Sequence, residues 1–434
     1  VSHVITICEY GLLTTAKVVE PSFEQRTVTP SAFDFLCDFM AKHKKSGASL
    51  LHLENSVSLR LDSYVGVIET PCGTVLEILP KHVKEFVGAP EENILPARKV
   101  LFQMLAAVLN LPKPRDSTVS HIELAKMPLH EWVMAQFLAT LDAIIKYGVR
   151  HDYQNIEAEE RFLRGQLDVS KQLRQPIGRQ HFFQIRHDIY SANRPENRLL
   201  QSALHKVAKY TKQHQRLSQE LLHRFIGIPQ SNNHKRDFGQ WQDTRLMAHY
   251  KNIKPWCELI LGERMPWAVH GLTQGMSYLF PMETLFERYV EFCLRKQLPA
   301  GWRLTAQANS EYLCRHQREG VFRLKPDFVL SHSEKKCILD AKWKLLDTRE
   351  SSETSKYGIN QSDFYQMFAY GHKYLGGKGD LVLIYPKCKD FEQAIDVPFC
   401  FSETLKLWVV PCDLEEESVI WPEGLVMGFV AGVN

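Results

Sequence analysis

The stretch Arg323–Lys344, RLKPDFVLSHSEKKCILDAKWK, constrains this chain more than any other. It reads as two strands joined by a short polar turn, with Asp327 following Pro326 on the first. The second is apolar at Cys337, Ile338 and Leu339, then presents Asp340, Ala341 and Lys342. Side chains on a strand alternate between faces, so Asp340 and Lys342 share one face and Ala341 takes the other. Pairing the strands brings Asp327 beside Asp340. Two carboxylates and an ammonium then meet at the end of a greasy hairpin, where charge is expensive unless it binds something. A divalent cation on a scissile phosphate meets that requirement.

A chain of 434 residues has room for two or three domains, each able to bury a core. A formal charge of +3 is too small to signal nucleic-acid binding by itself, so any such signal must be local. The ten cysteines form no C-x-x-C pair. That argues against a zinc ribbon or a secreted disulfide scaffold and fits buried thiols in a reducing cytoplasm. The longest apolar run, near Val100–Leu111, is too short to span a bilayer and contains Gln103. No signal peptide is visible at the start, and Val1 in place of Met fits a processed or trimmed chain.

Residues 1 to about 85 read as β-rich, with short β-branched runs at Val4–Ile7, Leu50–Leu53, Val57–Leu61, Val65–Glu69 and Val75–Leu79. Tyr64–Ile68 and Leu76–Lys81 look like a hairpin pair, and Ser31–Lys45 like a helix. From Ala97 to Gly148 the period becomes helical. Arg161–Leu167, RFLRGQL, interrupts it; Arg164 there fits a surface salt bridge better than a phosphate contact. His181–Ile189 reads as a strand. Asn197–Ile226 reads as one long amphipathic helix with Lys206, Lys209 and Lys212 on its outer face. Pro229–Gln240 is a polar loop, Trp241–Leu261 a helix kinked near Pro255, and Gly262–Trp267 a domain boundary.

The last third has an α/β order. Glu283–Gln297 is helical, Trp302–Ala306 a strand, and the Asp327/Asp340 hairpin follows. Ser362 or Asp363 can cap a second helix ending near Gly376, and Asp380–Tyr385 and Leu405–Val410 are strands. Asp327 and Asp340 would offer carboxylate oxygens to Mg²⁺, the Ala341 carbonyl another oxygen, and Glu287 a further ligand, direct or through water. Lys342 would orient the attacking water and hold negative charge at the phosphate. Gln366 and Tyr370, four apart on one helix face, can reach the metal water, Lys342 or the DNA backbone. Arg323 and Lys325 are as well suited to solvated charge as to holding phosphate. No G-x-x-x-x-G-K-[ST] loop occurs, since Gly376–Gly379 is GGKG followed by Asp380, so a nucleotide-driven motor would have to come from another subunit.

Pro326-Asp327 followed by Asp340-Ala341-Lys342 resembles the metal-binding motif of the PD-(D/E)xK nuclease superfamily. That resemblance implies an αβββαβ core. Further segments come in the order of the McrC family: Tyr64–Ile68 with Ile78–Lys81, Phe162-Leu163-Arg164-Gly165, Glu196–Leu200, Leu285-Phe286-Glu287, and Asp363–Tyr370. McrC is the nuclease subunit of McrBC-type, modification-dependent restriction systems. The resemblance implies an Mg²⁺-dependent endonuclease acting on double-stranded DNA, with Mn²⁺ as a possible substitute. It also implies a hexameric AAA+ GTPase partner, McrB, which recognises modified cytosine and whose GTP hydrolysis the chain would stimulate. Asp327, Asp340 and Lys342 carry over as catalytic. The expected division is a β-rich adaptor region over 1–90, a mainly helical partner-docking region over 91–265, and an α/β endonuclease domain over 266–434. The alternative is a noncatalytic assembly factor that bridges and activates the ring.

Overall fold

Pairing between distant segments builds the part of the molecule that carries the site. The computed structural model describes residues 4–18, 21–44, 50–83, 86, 89–111, 127–262, 269–270, 277–333, 335–349 and 356–425. The chain divides into two units, Val1–Leu129 with Trp267–Asn434, and His130–Pro266. This differs from the three-part reading of the sequence: 1–90 and 267–434 fall in one unit, together with the helix that opens the middle segment. Beyond Gly262, the expected boundary lies outside the described residues.

In the first unit, a five-stranded sheet runs in the order Val4–Cys8, Val75–Leu79, Tyr64–Glu69, Tyr278–Pro281, Val269–His270. Tyr64–Glu69 and Val75–Leu79 pair antiparallel, as their alternation suggests, and Val4–Cys8 joins parallel to Val75–Leu79. A four-stranded sheet (Gln25–Thr27, Leu12–Thr14, Ser58–Leu61, Leu51–Asn55) and the helix Pro30–Lys44 close one core around Leu13, Leu36, Phe39, Leu59 and Ile78. Helix Pro90–Val108 is held to this part by a buried ion pair. Arg98 grips Glu77 at 2.5 Å, and Thr6 donates to the same carboxylate. A buried ion pair needs such extra hydrogen bonds to offset its desolvation.

The last third forms a seven-stranded sheet. Its path is Arg303–Ala306, Phe328–His332, Lys335–Ala341, Gly379–Pro386, Leu405–Asp413 and Phe399–Cys400, with Ser418–Val419 beside Leu405–Asp413. Gly379–Pro386 is parallel to the strands on both its sides and is itself mostly buried, which explains the unbroken apolar run LVLIY. Along the chain the order is helix Met282–Gln297, three strands, helix Gln361–Leu375, strand. Between the first and second of those strands stands a separate two-stranded ribbon, Tyr312–His316 with Glu319–Arg323. The sequence reading missed this ribbon and assigned Arg323 to the neighbouring hairpin.

The second unit packs helices around Trp132, Phe137, Leu141, Leu200, Leu204, Phe225 and Trp256. The expected single helix over 197–226 is two, Pro195–Tyr210 and Gln215–Arg224. Buried Glu131 explains the break, because it accepts from the Thr211 hydroxyl (3.0 Å) and from the Lys212 N–H (2.8 Å). Lys206 is not on an outer face; its ammonium donates to the Ile260 carbonyl. Pro255 starts the helix Lys254–Leu261 rather than kinking a longer one, and His234–Gly239 in the expected loop is a short helix. A three-stranded sheet, Asp152–Glu160, Phe183–Ser191 and Gln166–Leu167, ends at the RFLRG segment. Gly165 has a φ of +72°, and a Cβ there would lie 2.4 Å from the Arg186 carbonyl oxygen, so only glycine fits. Phe162, 79% exposed, and Leu163 face solvent. Arg164 makes no ion pair among the described residues, so the expected salt bridge is absent.

Candidate active site

The antiparallel register Phe328↔Leu339, carried one step outward, sets Asp327 opposite Asp340. Oδ2 of Asp327 accepts from the Ala341 N–H at 2.8 Å, which fixes that carboxylate against the end of the second strand. Asp340 is 1% exposed. Nζ of Lys342 lies 2.6 Å from its Oδ2, yet that oxygen has no well-directed hydrogen bond. The alternation expected from the sequence holds here, since Lys342 returns to the side of Asp340.

Two side chains and a main-chain carbonyl fix Lys342 in turn. Its ammonium donates to Oε1 of Gln366 (3.2 Å), the Gln366 amide donates to the Tyr370 hydroxyl (2.7 Å), and that hydroxyl donates to the Lys325 carbonyl (3.0 Å). Gln366 and Tyr370 sit one turn apart on helix Gln361–Leu375, which is why both reach this line. Glu287 comes from helix Met282–Gln297 and accepts from the Gln307 amide at 2.9 Å. The structure therefore brings Asp327, Asp340, Ala341, Lys342, Gln366 and Glu287 to one end of the sheet. All but Asp340 and Gln366 line an open cleft of about 750 Å³.

The electrostatics follow from crowding like charges where water is scarce. Burial, then Asp340, then Glu287 push the Asp327 carboxyl up to about 8. Burial raises Asp340 as well, against the pull of Lys342. Burial raises Glu287 too, with Asp340 and Glu291 adding to it. Burial lowers the Lys342 ammonium, but Asp340, Asp327 and Asp363 outweigh it, and the net shift is upward. The cluster thus holds more negative charge than it can keep ionised unaided. Among the described residues, no three His, Cys, Asp or Glu side chains form a ready-made cage for an ion. The oxygen-only donor set, with both carboxyls pushed up by burial, fits a hard cation held by two carboxylates and its own water. Glu287, engaged with Gln307, fits the through-water role.

Two residues of the cleft have places there that the sequence reading did not give them. Asp363 does not cap the helix, whose N-cap is Asn360; it is nearly buried in the first turn, facing the cleft and accepting from the Tyr385 hydroxyl at 3.3 Å. Glu9, at the end of the first strand, is fully buried. It accepts from the Trp343 indole (2.8 Å), the Lys81 N–H (2.8 Å) and the Ser63 hydroxyl (3.3 Å). Trp343 also packs on Phe286, with ring centroids 5.3 Å apart. The first strand thereby braces the residue after Lys342. A repeated spacing could not have shown this, because Glu9 and Trp343 are 334 residues apart.

Fold and cleft define a mixed α/β protein with several sheets, whose acidic chemistry is gathered at one sheet end. The model of the McrBC 5-methylcytosine restriction system component family matches residues 59–386, and the chain belongs to that family, with McrC as its structural counterpart. Its structure is similar to one in the refined half-complex of Thermococcus gammatolerans McrB AAA+ hexamers with bound McrC. The TM-score there is 0.69 at 18% identity, covering 96% of each chain. A second likeness is to the T. gammatolerans McrBC complex, with a TM-score of 0.51 and 20% identity over 68% of this chain and 88% of that one. At such identities the likeness is one of fold. No curated protein matches.

Proposed function

We propose that the chain is the Mg²⁺-dependent endonuclease subunit of a McrBC-like restriction system, a cytoplasmic defence against foreign double-stranded DNA. The reading rests above all on one observation: Asp327, Asp340 and Lys342 meet at the end of a buried hairpin, with the Lys342 ammonium 2.6 Å from the Asp340 carboxylate. The helix, three strands, helix, strand order around them supports a PD-(D/E)xK core. Mg²⁺, or Mn²⁺ in its place, supplies Lewis-acid polarisation of the phosphate and a more acidic water when bound. Asp327 and Asp340 would hold it, with the Ala341 carbonyl beside them and Glu287 acting through water. Lys342, kept protonated by its carboxylate neighbours, holds negative charge on the phosphate and orients the attacking water; it is poorly placed to take a proton. Gln366 and Tyr370 fix the direction of that ammonium.

The partner in this reading is a McrB-like AAA+ GTPase hexamer, because the chain has no phosphate-binding loop of its own. The exposed Phe162, Leu163, Leu173 and Ile177 of the second unit give a partner-docking region an apolar surface. No helix among the described residues is long and apolar enough to cross a membrane.

The test is nicking of supercoiled plasmid in Mg²⁺, with and without the partner GTPase. Asp340→Ala should cut slower by at least on the order of 100-fold, as loss of a metal-binding carboxylate demands. Unchanged cutting in that variant would remove the site and leave the chain as an assembly factor that activates the ring.

A further inference from the structure

The ribbon Tyr312–Arg323 has no place in the chemistry above, yet it is built at some expense. Its two strands pair only with each other, and nearly every side chain on it is exposed. The pair His316↔Glu319 leaves a two-residue turn in which Gln317 and Arg318 take φ values of +48° and +72°. Such turns favour Asn-Gly, so an arginine here keeps a cation at the tip against its own backbone preference. Phe322 is also left-handed, at +57°, and is 70% exposed; Leu313 is 43% exposed. Strain of this kind at an exposed position points to function rather than packing.

The charges show what the ribbon fits. Arg315, Arg318, Arg323 and Lys325 make no ion pair among the described residues, although Glu311 and Glu319 are close in sequence. Arg323 instead lies over the Tyr312 ring at 5.1 Å and donates to its hydroxyl. That ring lies across Gly320, where an added Cβ would come within 2.5 Å of it. The root is fixed to the active-site helix. The Tyr374 hydroxyl is 3.0 Å from the Leu324 carbonyl and 3.3 Å from that of Ala308, and Tyr370 holds the Lys325 carbonyl. Three residues separate Arg323 from Asp327, so a duplex lying at the cleft runs within reach of the ribbon.

We infer that this ribbon is a contact for double-stranded DNA, entering a groove beside the scissile phosphate with Arg315 and Arg318 on the backbone and Phe322 against sugars or bases. A two-stranded ribbon fits the major groove, and unpaired arginines gain affinity by releasing counterions from phosphate. The inference rests on the nuclease reading and adds to it the element that seats the substrate.

The experiment measures binding apart from cutting. Full-length protein carrying Asp340→Asn is titrated against a short fluorescent duplex in Mg²⁺ over a range of salt, alone and with Arg315→Ala/Arg318→Ala added. A second variant, Gln317→Asn/Arg318→Gly, relaxes the turn and removes its cation, and thermal melts of all proteins establish that they fold. The arginine pair should weaken binding about tenfold or more at moderate salt and lower the slope of log Kd against log salt by about two. The relaxed-turn variant should lose about one in slope and melt no lower than its parent. Unchanged affinity and slope in folded variants would overturn the inference while leaving cleavage by the Asp340-containing protein to judge the nuclease reading. Unchanged DNA affinity with loss of partner stimulation would overturn it in favour of a protein contact.

Discussion

Two antiparallel hairpins stand side by side in the sequence and differ in almost every physical respect. Phe328–Ala341 lies inside a sheet, apolar through its middle, with exposed Lys335 and Lys336 at its turn and buried Asp340 at its far end. Tyr312–Arg323 stands alone, polar, exposed and strained at its turn. In the first, burial sets the chemistry: carboxylates rise toward neutrality and leave a demand for a cation. In the second, exposure leaves Arg315 and Arg318 open to a polyanion. A metal site of the kind proposed needs a dry, rigid seat, whereas the proposed duplex contact needs reach, and both would lie within thirty residues of one chain.

The largest blow to this contrast, after loss of Asp340, is Lys342→Ala. It should slow Mg²⁺-dependent nicking on the order of 100-fold while changing duplex affinity little, because in the proposed mechanism its charge acts at the reacting phosphate. Nicking at the parental rate would show that the buried hairpin works without its cation.

A smaller effect tests the bracing of that hairpin. Burial pushes Glu9 up to about 7 against the hydrogen bonds it accepts. The folded chain therefore keeps a proton that the unfolded chain has lost, and stability falls as pH climbs from the ordinary carboxylate range through about 7. Glu9→Gln keeps an acceptor for Trp343 without the ionisation. Its melting temperature should fall less than the parent's between about pH 5 and about pH 8; parallel curves would show that Glu9 is not the group responsible.

The smallest effect lies at the root the two hairpins share. Tyr374→Phe removes one hydroxyl from the Leu324 and Ala308 carbonyls, worth about 1 kcal/mol. Duplex affinity should drop a few-fold, with the rate of the saturated enzyme nearly unchanged. A drop in rate alone would mean that the ribbon and the cleft are coupled more tightly than their hydrogen bonds suggest.

Much of the site was legible because its signal is local. Pro326-Asp327 and Asp340-Ala341-Lys342 flank an apolar strand, and Gln366 and Tyr370 fall on one helical face. Five strands of the first 80 residues were equally readable from their alternation and turn residues, whereas Leu12–Thr14 and Gln25–Thr27 were too short to show. What stayed hidden was tertiary. Nothing around Glu131 says that it will divide a helix at Thr211, and nothing around Glu9 says that it will receive an indole from Trp343. Asp152–Glu160, DYQNIEAEE, lacks the apolar alternation that marks a strand, since most of it faces solvent. The Gln317–Arg318 turn escaped because it lacks glycine and asparagine, the residues by which such turns are recognised.

The route of the five-stranded sheet has a consequence for synthesis. Tyr64–Glu69 pairs with Tyr278–Pro281, and Glu69 and Ser277, which share a hydrogen bond at that seam, are 208 positions apart. At roughly 5–20 residues per second, a ribosome needs tens of seconds to deliver the missing neighbour. Through that interval the emerging amino terminus offers an open strand edge, an invitation to mispairing that a waiting chaperone would have to cover.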